Sequence, residues 1–291
     1  MLDYPALAAL AQVIRTGSFE GAAAALGVTQ SAISQRIKTL EERTGAVLIH
    51  RGPPPEPTEQ GARLIAHYDQ VMLLEADLHG ASGPQPVIRV AVNADSLATW
   101  AMPALAAAPG LLDLVIDDQD HADQWLRAGQ VAAAITADPG PVPGCDSFPL
   151  GAMRYLAGAS EDFMARHFPN GPTPQALSRA PMLTFNTKDA LQLRWLRQVT
   201  GRRLSPPPPT HLIPSTQAFV SAARLGVGWG MNPEDLHCDP ADGGPLVALF
   251  PDHPLDIPLH WQVARIAAGP LAPLTRAIRA AAARALRPID R

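Results

Sequence analysis

Cysteine is scarce in this chain: two in 291 residues, Cys145 and Cys238, far apart and neither in a Cys-x-x-Cys pair. That excludes a disulfide scaffold, and two reduced thiols fit a cytoplasmic protein. His50, His67, His121 and the other histidines show no metal-ligand spacing, so no metal site is expected. Positive charge is short as well. The net charge is −4 and the pI near 6.1, so any attraction to nucleic acid must be local rather than spread over the surface. No apolar run approaches the roughly 18 residues of a membrane helix, and the N-terminus shows no charged-then-apolar leader. No membrane partner is expected. A Gly-x-Ser-x-Gly nucleophile elbow, a phosphate loop and paired metal motifs are all missing, which argues against an enzyme.

What is present describes a globular chain. Hydrophobic residues make up 47% and charged residues 17%, and the length suggests two or three domains. The most informative stretch is residues 18–45, which reads as two short helices joined by a tight turn at Gly27. Ser18 and Thr29 are suited to cap them. On the second of these helices Ile33, Ile37 and Leu40 recur at i, i+4, i+7 and are expected to face a core. The opposite face carries Gln30, Ser31, Ser34, Gln35 and Lys38. Donors and acceptors on an exposed helix suit base edges in a DNA major groove. The motif is a helix-turn-helix.

The expected roles divide by chemistry. Gln30, Ser31, Ser34 and Gln35 are candidates for base contact, and Arg36, Lys38 and Arg51 for phosphate contact, which positions without specifying sequence. A plainly solvated polar face is the bland alternative for each. Residues 29–51 hold four cations against two carboxylates, a modest surplus. DNA bending and dimerisation would therefore have to assist binding, and a dimer implies an inverted-repeat site on double-stranded DNA.

A first helix over 6–16 precedes the motif, and a short strand over 46–51 with a proline-rich loop to Pro57 follows it, the shape of a wing. A helix from Thr58 to about Leu78 then carries Gly61, Leu64, Ile65, Tyr68, Val71, Met72, Glu75 and Leu78 on one stripe. The stripe argues for pairing with a second copy, and packing on its own domain is the alternative. Residues 81–86 read as a hinge. From Val87 strands and helices alternate, implying parallel sheets with helices on both faces and a cleft between two lobes. Strands are expected at 87–92, 112–117, 132–136, 154–159, 182–186, 211–214 and 259–264, with a C-terminal helix over 271–286. The divisions are 1–57, 58–80, 81–86 and 87–291. The first lobe takes about 87–158 and 265–291, the second about 159–264.

Over its full length the chain resembles the LysR-type transcriptional regulators. Gly17-Ser18-Phe19, Ala22-Ala23, Leu26, Gln30-Ser31-Ala32-Ile33-Ser34, Ile37, Leu40-Glu41, Gly45, Leu48, Arg51 and Thr58-Glu59-x-Gly61 carry the likeness. Asn93 through Trp100, Val142-x-Gly144-Cys145, Leu150-Gly151-x-Met153-Arg154-Tyr155, Phe185-Asn186-x-Lys188-Asp189-x-Leu191-Gln192 and Gly226-x-Gly228-Trp229-Gly230 are similar to the ArgP/LysG branch. The wing departs from the family: Pro53, Pro54, Pro55, Glu56 and Pro57 stand where basic or hydroxyl residues are usual. That removes phosphate contacts there. Gly61 matches the family and is expected to weaken the start of its helix slightly.

The resemblance implies a winged helix-turn-helix N-terminal domain, a long linker helix, and a two-lobed α/β periplasmic-binding-protein-like effector domain. It implies a cytoplasmic homodimer or tetramer that activates a lysine or arginine exporter gene through RNA polymerase, with lysine or arginine as the effector and no other cofactor. A zwitterion with a cationic side chain needs acidic partners, for which Asp95 and Asp189 are the candidates. Ser96, Thr99, Thr136, Asn186 and Ser215 are candidates for hydrogen bonding. Trp100, Phe185 and Trp229 could wall the aliphatic stem. Plain helix capping is the alternative for Asp95 and Ser96, and core packing for Trp229. A LysR-type regulator with another effector, or an effector-independent nucleoid or replication-associated DNA-binding protein, remains open.

Overall fold

The computed structural model describes residues 2–79, 85–116, 122–137, 140, 142–240 and 244–289. Three helices open the chain: α1 (Tyr4–Thr16), α2 (Phe19–Leu26) and α3 (Gln30–Thr44). Each start is set by a side-chain oxygen. Asp3, Ser18 and Thr29 accept from the N–H groups of Ala6, Gly21 and Ala32. Such caps satisfy donors that have no partner within the helix. Gly27 ends α2 in the left-handed region at φ 64°, which lets α3 start three residues later at the angle the motif needs. Leu7, Leu10 and Val13 of α1 meet Ile33, Ile37 and Leu40 of α3 in one buried cluster. Each fully buried Ile or Leu stabilises it by about 2 kcal/mol.

The expected wing strand over 46–51 shortens to β1 (Ile49–His50), paired antiparallel with β2 (Glu56–Pro57). The prolines between them leave few N–H groups to extend the ladder. The linker helix α4 (Glu59–His79) follows. Its stripe is divided rather than uniformly free. Of the stripe, Leu64, Ile65 and Tyr68 pack against the N-terminal core; Leu73, which lies off the stripe, is buried in the core of the following domain. Leu78, at 83% exposure, is the large apolar side chain of the stripe that remains open. Of the expected hinge, residues 81–84 lie outside the described residues.

The second region is built on strands β3 (Val87–Val92), β4 (Leu111–Ile116), β5 (Ala133–Thr136), β6 (Cys145–Ala159), β7 (Met182–Thr184), β8 (Thr210–Leu212), β9 (Gly230–Pro233), β10 (Val247–Ala248) and β11 (Leu255–Ala264). Seven of them share one sheet, in the order β10-β6-β11-β5-β3-β4 with β9 on β6. The expectation of parallel sheets holds for β3 with β4 and β5, and for β7 with β8. It fails elsewhere: β6 and β11 run antiparallel to each other and to their other neighbours. These two long strands pass through both lobes. Strand β6 begins nine residues before the expected start at Arg154, because Pro149 and Gly151 disguise it as a loop. Their physical effect is a bulge. Leu259 pairs with Gly151 and His260 with Pro149, leaving Leu150 extra, and Gly151 sits at φ 129°. The bend separates β3, β4 and β5 with one half of the long strands from β9 and β10 with the other.

Helices cover the sheet. Residues 94–105 form one helical run with a π turn over Leu97–Ala101, designated α5 (Ala94–Ser96) and α6 (Met102–Leu105) at its ends. Then come α7 (Ala122–Arg127), α8 (Glu161–His167), α9 (Pro174–Leu177), α10 (Leu191–Thr200), α11 (Thr216–Arg224), α12 (Glu234–Cys238) and α13 (Ala272–Ala285). Among the described residues no helix is long and apolar enough to cross a membrane.

Candidate nucleic-acid interface and effector cavity

Helix α3 turns the proposed reading face outward. Gln30, Ser31, Gln35 and Lys38 are exposed, and Ser34 and Arg36 half-buried, while Ile33, Ile37 and Leu40 are buried behind them. The exposed groups are loosely held. The Ser31 hydroxyl lies 3.0 Å from that of Thr29, and Gln35 Nε2 donates to Thr39 Oγ1 at 3.4 Å. Lys38 pairs with Glu42 at 3.9 Å, which offsets part of its charge. Arg51 leaves the wing strand and is more firmly placed, 3.7 Å from Glu41 and over the Phe19 ring at 5.8 Å. Glu41 in turn accepts the Leu48 N–H at 2.9 Å, so one carboxylate ties α3 to the wing.

In the second region a cavity lies where the lobes meet. One lobe supplies Asn93, Ala94 and Asp95, at the carboxyl end of β3. The other supplies the remaining walls, polar from Asp189, Gln192, Thr216 and Asn232, and apolar from Phe185, Leu191, Phe219, Val220 and Met231. Asp95 is the meeting point. Thr216 Oγ1 donates to its Oδ1 at 2.7 Å, and Tyr155 Oη to its Oδ2 at 2.8 Å. Burial pushes the Asp95 carboxyl above its ordinary range, with Asp189 adding to the rise; the two hydroxyls act against it. Burial and the neighbouring Asp95 push the Tyr155 phenol well up, so it remains a donor.

Asp189 lines the cavity but is committed to its own loop. Its Oδ2 accepts from Phe185 N–H at 3.0 Å and its Oδ1 from Leu191 N–H at 2.9 Å. Gln192 and Asn232 are both buried. Gln192 Oε1 and Asn232 Oδ1 meet no hydrogen-bond donor among the described residues. Among the described residues, no basic side chain lines this cavity.

The structure therefore gathers three of the anticipated effector residues, Asp95, Phe185 and Asp189, into one wall set. The others lie beside it. Ser96 is buried behind Asp95, and Thr99 donates to the Asp95 carbonyl at 2.7 Å. Asn186 Oδ1 accepts from Lys188 and Asp189 N–H groups and shapes the loop. Ser215 is exposed and caps α11. Thr136 is buried on β5, outside the lining. Trp100 faces a separate crevice with Met153, Arg154 and Arg287. Trp229 is core, its ring 5.4 Å from that of Trp195. Tyr155, Thr216, Gln192 and Asn232 were not anticipated. Thr216 had a signal, since it follows the cap Ser215; Tyr155 and Asn232 reach the site only through sheet pairing. Among the described residues, no group of three or more His, Cys, Asp or Glu could hold a metal ion.

Comparison with known proteins agrees with both halves. Residues 5–62 match the family of bacterial regulatory helix-turn-helix proteins of the LysR type, and residues 81–287 the LysR substrate-binding domain. The HTH-type transcriptional regulator LysG of Mycobacterium tuberculosis is 45% identical, over 97% of this chain and 94% of its own length. The crystal structure of ArgP from Mycobacterium tuberculosis superposes with a TM-score of 0.78 at 43% identity, covering 99% of this chain and 100% of that one. Full-length LysG from Corynebacterium glutamicum, with bound effector Arg, gives 0.66 at 35% identity over 99% and 100%. With its capped helix-turn-helix, its wing and a cavity between two lobes, this chain belongs to the LysR family of DNA-binding transcriptional regulators, alongside members named ArgP and LysG.

Proposed function

We propose that this regulator senses a basic amino acid, lysine or arginine, in the interlobe cavity and activates a gene for export of that amino acid. The observation that carries the reading is the composition of the wall. Two carboxylates and two buried amide oxygens face a space lined by no basic side chain among the described residues. Buried acceptors without donors are costly, and a cation rich in N–H groups relieves them. The arginine held by the Corynebacterium glutamicum relative has this chemistry.

At the other end of the chain, Gln30, Ser31, Ser34 and Gln35 read base edges, and Arg36, Lys38 and Arg51 hold phosphates. Few cations per subunit make a cytoplasmic homodimer or tetramer on an inverted-repeat promoter site the workable arrangement. Contact with RNA polymerase then accounts for activation. Effector binding shifts regulation only through its differential affinity for two lobe arrangements. The test is calorimetric titration with arginine and lysine, using citrulline and norleucine as neutral controls. Heat from the basic amino acids alone is expected; silence to both would overturn the effector assignment and leave the DNA-binding role standing.

A further inference from the structure

The cavity walls are unequally shared, and this has a mechanical consequence. Among the described lining residues only the turn Asn93–Asp95 comes from the lobe containing β3; Thr216 belongs to the other, as does Tyr155, which stands outside the lining, paired with Leu255 and Pro233 on the far side of the bulge. Asp95 is thus a single carboxylate held by two hydroxyls from across the cleft, one on each oxygen. Both donors are themselves buried, Tyr155 at 0% and Thr216 at 5% exposure, so neither bond is shared freely with solvent. The protein makes this clasp with its own groups.

We propose that Tyr155 and Thr216 are positioning residues that clasp Asp95 across the cleft, closing the lobes and keeping the carboxylate charged and aimed for a cationic effector. The clasp explains selectivity as well as closure. Each Asp95 oxygen accepts one hydroxyl and retains a lone pair. A cation can add to those lone pairs without dismantling the clasp, whereas a neutral ligand brings no charge to compensate a buried carboxylate. Without the hydroxyls, burial and the nearby Asp189 would drive Asp95 towards its neutral form, and the cation would lose its counter-charge. Tyr155 and Asp189 are the titratable groups facing Asp95, and no basic side chain lines the cavity among the described residues.

The selectivity part rests on the proposed basic amino-acid effector; the closure part does not. The first arm therefore uses no ligand. Gln124→Cys and Gln175→Cys, in a Cys238→Ser background, place spin labels on exposed positions of the two lobes of the full-length protein. One short interlobe distance is expected, moving outward and broadening in Tyr155→Phe/Thr216→Val and returning in Tyr155→Phe/Thr216→Ser. In the second arm arginine is titrated as a function of pH. Loss of each hydroxyl is expected to weaken binding about 10-fold to 100-fold. The weakening should deepen as pH falls, and set in at a higher pH than in the parent, because the less supported carboxylate protonates sooner.

A distance distribution and a pH profile both unchanged in the double variant would overturn the clasp. Should the double variant fail to fold, Thr216→Val against Thr216→Ser decides, being nearly isosteric. If the parent binds neither arginine nor lysine, the effector assignment falls and the clasp is judged on the distances.

Discussion

The Arg15 guanidinium on α1 and the Asp69 carboxylate on α4 form an ion pair that binds the DNA-binding domain to the linker helix. Both side chains are largely covered, at 26% and 14% exposure. Burial raises the Asp69 carboxyl above its ordinary range even though Arg15 pulls it down. The carboxylate therefore costs stability as pH rises from about 4, its unfolded titration, through its raised folded value. An asymmetry follows. Asp69→Asn is expected to be nearly neutral at pH 7, whereas Arg15→Met strands a covered charge and costs about 2 kcal/mol. Urea unfolding of the two variants checks the order; a larger loss for Asp69→Asn would mean that the pair outweighs burial.

Gly61 explains how the wing is joined to the linker. A Cβ built there would lie 2.1 Å from the Leu48 carbonyl oxygen, the same oxygen that accepts the Thr58 N–H at 3.0 Å. Neither partner can swing aside, because both are backbone. Gly61→Ala is expected to destabilise the domain by about 2 kcal/mol or more and to displace the wing. Thermal unfolding and DNA anisotropy should both register the change. An unaltered midpoint would show that α4 can slide along β1.

The helix-turn-helix was legible because its code is local: caps, a turn glycine and a 3.6-residue period all fall within one short segment. The strand over 87–92 was legible for the same reason. Gly61 was read as a small helix defect because its reason, the approach of Leu48, lies in tertiary contact. The cavity was half legible. Asp95 and Asp189 stand out by charge, but Tyr155 and Asn232 arrive through the pairing of β6 with β9, which no spacing along the chain encodes. Strand β6 itself was truncated because Pro149 and Gly151 are breakers locally and a bulge globally. The linker stripe looked uniform, although only Leu64, Ile65 and Tyr68 of it pack on the N-terminal core, while Leu73, off the stripe, joins the core of the following domain.

Gln35 and Lys38 are exposed on the same helix and should separate specificity from affinity. Gln35→Ala is expected to weaken binding to the promoter site by about 1–3 kcal/mol, with little change on unrelated DNA. Lys38→Ala should weaken both by a similar factor and lower the salt slope by about 1 at most, since Glu42 already neutralises part of the charge. Anisotropy titrations over a range of salt distinguish the two. Equal loss on both DNAs for Gln35→Ala would remove it from base reading.

Gly230 offers a way to fill the cavity from behind. It begins β9, and a Cβ there would meet the Phe219 ring at 2.5 Å and 2.6 Å. Phe219 is a wall of the cavity and is backed by Leu183, Ala222 and Leu246, so its ring can yield only towards the open space. Gly230→Ala is thus expected to keep the fold and the affinity for DNA while lowering arginine affinity at least about 10-fold, the equivalent of roughly 1.4 kcal/mol. Circular dichroism, DNA anisotropy and calorimetry on one preparation check the three parts together. Arginine binding unchanged in a protein whose Phe219 ring has moved would place the ligand outside this cavity, because the displaced ring and the bound side chain would compete for one volume.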